Sequence, residues 1–200
     1  MVVSREPLKL KPPPNLIRNG DFSVWHPGSP APSGFDAPRK SNPFSYIEPE
    51  TKHLTSVPKG VRQTWQASDS GDSFFRLFRT WVTDLRPETD YRFTVQADNQ
   101  SKNTVAILVY EYYVPQAVPG PERPEGARLG ILEVSPTDGF QEFALDFTTG
   151  GKDVFCVMLF VKCRGDAKDF PATCIWDDWY LSKASASVSA ANQSTDPAEK

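Results

Sequence analysis

Few side chains in this 200-residue sequence have the type and spacing that covalent chemistry requires. Its two histidines, His26 and His53, stand in polar, loop-like contexts, and neither falls in H-E-x-x-H or another ligand spacing. Asp177 and Asp178 are adjacent, and neighbours on a strand point to opposite faces, so they make a poor pair of facing carboxylates for glycoside hydrolysis. There is no G-x-S-x-G, no phosphate-binding glycine loop and no G-x-G-x-x-G. Cys156, Cys163 and Cys174 form an odd set without C-x-x-C spacing, which argues against a zinc knuckle and a disulfide-dense scaffold. They read either as three buried thiols or as a Cys163–Cys174 bridge across a hairpin around "RGDAKDFPAT", with Cys156 left free. The chain is therefore expected not to be an enzyme, and its chemistry to be that of non-covalent binding.

Such binding needs elements that hold side chains rigidly. Runs rich in Val, Ile, Phe, Tyr and Thr recur between Gly, Pro, Asp and Ser clusters: "VRQTWQA", "FFRLFRTWV", "YRFTVQA", "TVAILVYEYYV", "RLGILEV", "FQEFALDFTT", "DVFCVMLFVKC" and "TCIWDDWYLSK". With the opening segment they make about nine strands, and no window carries the i, i+3, i+4, i+7 spacing of an amphipathic helix. Alternation is clearest in "DYRFTVQAD", where Tyr91, Phe93, Val95 and Ala97 take one face and Arg92, Thr94, Gln96 and Asp98 the other. Two antiparallel sheets with facing apolar sides satisfy the pattern, so the expected fold is all-β, a two-sheet sandwich or jelly roll. The run "TVAILVYEYYV" is apolar on both faces, which predicts a middle strand whose outer face is covered or carries aromatic residues for binding.

The length suits one domain, placed at 15–183 between a proline-rich segment 1–14 and a small, polar segment 184–200, both expected to be linkers or disordered tails. No apolar stretch approaches the roughly 18 residues of a membrane-crossing helix. A formal net charge of -3 with interspersed signs lacks the footprint of a nucleic-acid binder. The start "MVVSREPLKLKPPP" lacks the apolar core of a secretory signal, and localisation stays open.

The opening "NLIRNGDFSVWHPGSPAPSGF" breaks a strand-like run at Asn19-Gly20-Asp21, three poor strand formers. It resembles the "N-L-x-x-N-G-x-F-E … P-x-G-W" start of carbohydrate-binding modules of families four, nine and twenty-two. "VTDLRPETDYRFTVQAD" is similar to their "L-x-P-G-T-x-Y-x-x-S-x-x-A", and the end "FQEFALDFTTGGKDVFCVMLFV … CIWDDWYLSK" to their "W-x-x-F-x-F-T … I-D-D-V-x-L". The likeness spans residues 15–183. It departs at Ser23, where those modules usually carry a glutamate ligand, at Phe35, where they tend to have tryptophan, and at Glu88, which replaces the glycine of P-G-T and should keep that turn out of positive φ.

The resemblance implies a galactose-binding-like jelly roll and, in many such modules, a calcium ion tying the first strand to the last. Gly20, Asp21 and Asp177 are the residues that would hold it, with Asn19 and Gly20 bending the backbone to expose carbonyls. The alternative is that Asn19–Asp21 is a bulge and that Asp177 and Asp178 cap a strand through loop amides. The resemblance also implies a polysaccharide or oligosaccharide partner, with a catalytic domain covalently linked in a longer parent. Sugars offer flat C–H faces rimmed by hydroxyls and call for aromatic platforms beside polar side chains. Trp65, Trp81, Tyr110 and Tyr112 are the platform candidates, each with core packing as the alternative. Tyr110 and Tyr112 share one face of their strand, Glu111 and Tyr113 the other. Arg92 and Gln96 are the hydrogen-bonding candidates on a concave sheet, with Thr94 beside them and Arg76, Arg79 and Glu133 behind. The loop 114–130 is long and proline-rich, open to ligand closure or to a passive surface role. The rival function is a structural or protein-interaction sandwich that binds no sugar.

Overall fold

The computed structural model describes residues 12–37, 45–52, 54, 59–66, 74–112, 127–151 and 156–184. Ten strands are present: β1 (Phe35–Asp36), β2 (Ser45–Glu50), β3 (Gly60–Trp65), β4 (Phe74–Thr83), β5 (Asp90–Asn99), β6 (Thr104–Tyr112), β7 (Ala127–Val134), β8 (Gln141–Thr148), β9 (Cys156–Arg164) and β10 (Ala172–Lys183). They form two antiparallel five-stranded sheets, the first in the order β1-β4-β9-β6-β7 and the second in the order β2-β3-β10-β5-β8. Among the described residues the one helical element is a single 3-10 turn, Ala167–Asp169.

The alternation that defines the strands also defines the core. Phe93, Val95 and Ala97 of β5 and Trp176, Trp179 and Leu181 of β10 face inward and meet Val105, Ile107 and Val109 of β6 and Val157, Leu159 and Val161 of β9 in one buried cluster. Trp179 is its hub: Phe22, Phe35, Phe78, Phe93 and Trp176 lie within 6.1 Å of it, centroid to centroid. Edge-to-face contacts of this kind add to the apolar area that the rings already bury.

Two strands escape the pattern reading. β1 is only two residues long, and β2 contains Pro49, which lacks a ladder donor and therefore suits an edge strand, the place β2 holds. The opening segment is no regular strand. Past the end of the β3–β10 ladder it lies alongside β10, and the Asn15 side chain does the work of a peptide unit: its Oδ1 accepts from the Leu181 amide (3.0 Å) and its Nδ2 donates to the Trp179 carbonyl (2.8 Å). Leu16 N–H adds a bond to the Leu181 carbonyl and Trp179 N–H one to the Gly20 carbonyl.

Asn19-Gly20-Asp21 closes a turn, with Phe22 N–H donating to the Asn19 carbonyl at 2.9 Å and Asn19 at a φ of 57°. The Asn19 side chain then ties down the following loop by donating to the Val24 and Ser33 carbonyls. Glu88 departs from expectation. It adopts a φ of 46°, the left-handed region that glycine takes in the P-G-T turn, while its amide donates to the Gly150 carbonyl at 3.0 Å. Cys163 and Cys174 are not partners across a hairpin, since β9 and β10 belong to different sheets. The expected tails lie, apart from residues 12–14 and 184, outside the described residues, as do Tyr113, His53 and most of the loop 114–130.

Candidate binding face

Along β6 the side chains of Thr104, Ala106, Leu108, Tyr110 and Tyr112 share the outer face of the first sheet, because Val105, Ile107, Val109 and Glu111 are buried on the other side. Eight steps of about 3.3 Å from Thr104 to Tyr112 make this a strip of about 26 Å. β7 sets Ile131 beside Leu108 and Glu133 beside Ala106; β9 sets Lys162 on the other side of Ala106.

At one end of the strip the side chains are aromatic. β9 separates β4 from β6, yet the Trp81 ring reaches over it to within 5.9 Å of Tyr112, and Tyr112 lies 6.3 Å from Tyr110 with the two rings only 30° apart. The Arg79 guanidinium sits 5.3 Å above the Trp81 ring, a cation–π contact, and its Nε donates to Asp36 of β1 at 3.0 Å. All three rings are half-buried, so each is packed against the sheet while keeping some surface in water.

Towards the other end the strip sinks into a groove of about 300 Å³. Ala106 and Leu108 form its floor, Ile131 and Glu133 one wall, and Lys162 with Thr104 the other. The hollow follows from sequence, because alanine at 106 leaves room between the longer chains of Glu133 and Lys162 on either side. Lys162 is 6% exposed, so its hydrocarbon stem lies along the sheet. A small trough with apolar floor, aromatic end and few polar groups has the make-up of a ligand site.

Three of the six expected binding residues meet on this face: Trp81, Tyr110 and Tyr112. Arg79 and Glu133 join them, while nothing is described for the Arg76 side chain. Trp65 is not a platform. In β3 it shares the inward side with Val61 and Gln63, and its ring is completely buried between the cross-strand positions Ser45 and Ala172. Arg92 is exposed and Gln96 half-buried, both on the outer face of the second sheet. There Arg92 pairs with Asp146 at 2.9 Å and Gln96 donates to Glu142 at 3.3 Å, each with its direct cross-strand neighbour. Sheets pack about 10 Å apart, so the whole sandwich separates them from the aromatic strip.

A second ion pair lies on that outer face. Arg62 holds Glu50 at 2.6 Å. Burial pushes the Glu50 carboxyl up, but the Lys52 amide, the Arg62 guanidinium and the Thr51 amide outweigh it and hold the group below its ordinary value. Residues missed in the sequence are Thr104, Ala106, Leu108, Ile131 and Lys162. The available signal was Lys162, a charge closing the apolar run "FCVMLFV".

The expected calcium donors divide. Gly20 lies against β10, its carbonyl accepting from Trp179, and Asp177 is wholly buried. Asp21 Oδ1 turns back to accept from the hydroxyl (3.0 Å) and amide (3.3 Å) of Ser23. Among the described residues no three His, Cys, Asp or Glu side chains gather for a metal. Of the three, Asp177 offers a carboxylate and Gly20 a backbone carbonyl, the hard oxygen donors that calcium takes.

Comparison with solved structures places this architecture. The enzymatically active domain of tailspike protein 4 of bacteriophage CBA120 superposes with a TM-score of 0.59 at 8% identity, over 85% of this chain and 21% of that one. The chain thus spans about a fifth of the tailspike domain's length. A family 4 carbohydrate-binding module gives 0.54 at 15% identity over 84% and 99% of the two chains. The module TmCBM61, solved in complex with β-1,4-galactotriose, gives 0.52 at 13% identity over 86% and 99%. No protein-family model and no curated protein sequence matches the chain. At these identities the likeness is one of fold, and the chain has the β-sandwich of carbohydrate-binding modules.

Proposed function

We propose that this chain is a non-catalytic carbohydrate-binding module that holds a polysaccharide or oligosaccharide along β6. The observation that carries the reading is the trough on the first sheet, where Trp81, Tyr110 and Tyr112 lead into the groove floored by Ala106 and Leu108. Rings packed against a sheet cost little conformational entropy on binding and match the flat face of a pyranose. Glu133, Thr104 and Lys162 supply donors and acceptors for the hydroxyl rim. The fold-neighbours lend support: one of them was solved with galactotriose bound. In native gels containing xylan, β-glucan, mannan, pectin or alginate, the chain is expected to be retarded in at least one and not in a sugar-free gel. Free migration in all of them defeats the reading.

The same reading carries a structural calcium ion at the seam of residues 15–20 with β10, held by the buried Asp177 carboxylate and the Gly20 carbonyl. A ligand at about a hundred times its dissociation constant adds about 2.7 kcal/mol of stability. For a domain this size that is a rise of about 5–10 °C in Tm on adding calcium to EGTA-treated protein. Asp177→Asn should remove the rise; equal melting of the wild-type chain with calcium and with EGTA removes calcium from the reading.

A further inference from the structure

We infer that Cys163 and Cys174 are an oxidation site, forming a disulfide that staples the two sheets together at one end of the sandwich. Cys163 faces inward from β9 in the first sheet and Cys174 inward from β10 in the second, and both are completely buried in the same core cluster. They stand at the two feet of the arch that carries the chain from one sheet to the other, with ten residues, 164–173, between them.

What matters is the gap between the sheets at this end. Cys174 pairs with Asn99 of β5, and Cys163 pairs with Val105 of β6, which itself pairs with Val134 of β7. The Asn99 amide reaches across from the second sheet to donate to the carbonyls of Val134 and Asn103, both at 2.8 Å. One short side chain and its hydrogen bonds thus join the strand beside Cys174 to β7 and to the turn before β6 in the first sheet, which ties the two sheets together at this end. A disulfide spans a Cα separation of roughly 4.4–6.8 Å, so the bridge requires the two strands to close to that distance at Cys163 and Cys174. Asn103 holds the arch in the same place by donating to the Asp169 carbonyl at 3.0 Å.

Both sulfurs are thiols in this structure. Burial pushes Cys163 up to about 12, and burial together with the charges of Asp98 and Cys163 pushes Cys174 well above its ordinary value. Neither is then a thiolate at neutral pH, and a buried thiol of this kind is inert. The bridge accordingly forms during folding, before the core closes. One cysteine thiolate attacks a small disulfide such as oxidised glutathione, releasing one glutathione thiol. The second cysteine displaces the other, so two electrons and two protons leave with two reduced glutathiones.

The test is to refold the denatured chain in a glutathione redox buffer, trap free thiols with N-ethylmaleimide under denaturing conditions, and weigh the product. One adduct per chain and a linked peptide containing Cys163 and Cys174 are expected. Closing a loop of this length should also raise the melting temperature of the bridged chain about 5–10 °C above that of the dithiothreitol-treated one. Three adducts, a link through Cys156, or a bridged chain that melts no higher than the reduced one would each overturn the inference. No substitution is needed, so a variant that fails to fold cannot obscure the answer.

Discussion

Tyr112→Ala is expected to weaken sugar binding by about 2 kcal/mol or more, about thirty-fold, without changing the melting temperature by more than a degree or two. The ring is the middle member of the aromatic set, 5.9 Å from Trp81 and 6.3 Å from Tyr110, so its loss breaks one platform into two separated rings. Trp81→Ala should act in the same direction and also release Arg79 from its stacking contact. Arg92→Ala is the matched control: it removes an exposed side chain from the opposite sheet, and its migration through the retarding gel should equal that of the wild type. Retardation that survives Tyr112→Ala and Trp81→Ala but vanishes with Arg92→Ala would move the site to the second sheet.

The largest expected loss of stability comes from a residue far from that face. A Cβ built on Gly20 would stand 2.0 Å from the Trp179 carbonyl oxygen and 2.8 Å from Asn15 Nδ2. The first of these atoms is backbone in a central strand, so it cannot swing away, and the second belongs to the side chain that ties residues 15–20 to β10. Gly20→Ala must therefore push the opening segment off β10, costing about 3 kcal/mol and about 6–12 °C in Tm by differential scanning calorimetry. Gly28→Ala calibrates it, because nothing lies within 4 Å of that position and only its φ of 76° is unfavourable, at about 1 kcal/mol. Equal melting of the two variants would mean that the seam is softer than its contacts indicate.

What the sequence disclosed depended on whether the information was local. The alternation Tyr91–Phe93–Val95–Ala97 is local, and β5 follows it residue for residue. The doubly apolar run of β6 announced a covered or aromatic outer face, and Tyr110 and Tyr112 do stand on one side with Glu111 buried on the other. Trp65 was legible too: it stands two residues from Gln63 and four from Val61, so alternation alone puts it on the side of a buried valine. Whether Arg92 and Tyr110 share a face was not legible, since sheet membership is set by pairings such as β5 with β8 and β6 with β9, across about fifty residues of chain. Glu88 shows a different limit. Its positive φ is imposed by the bond to Gly150 and by the turn before β5, and tertiary context of that kind overrides the preference of a single residue.

Asn15 and Leu181 are hydrogen-bonded neighbours, so the folded unit is entered and left through one doorway beside β10. The doorway opens on the second sheet, while the aromatic trough lies on the first. A support joined directly to residue 15 or residue 183 would therefore be attached on the side of the sandwich away from the trough. A peptide joining residues 183 and 15 would need only a few residues, and a circularly permuted chain reopened at an exposed turn such as Asp138–Gly139 would keep the trough intact.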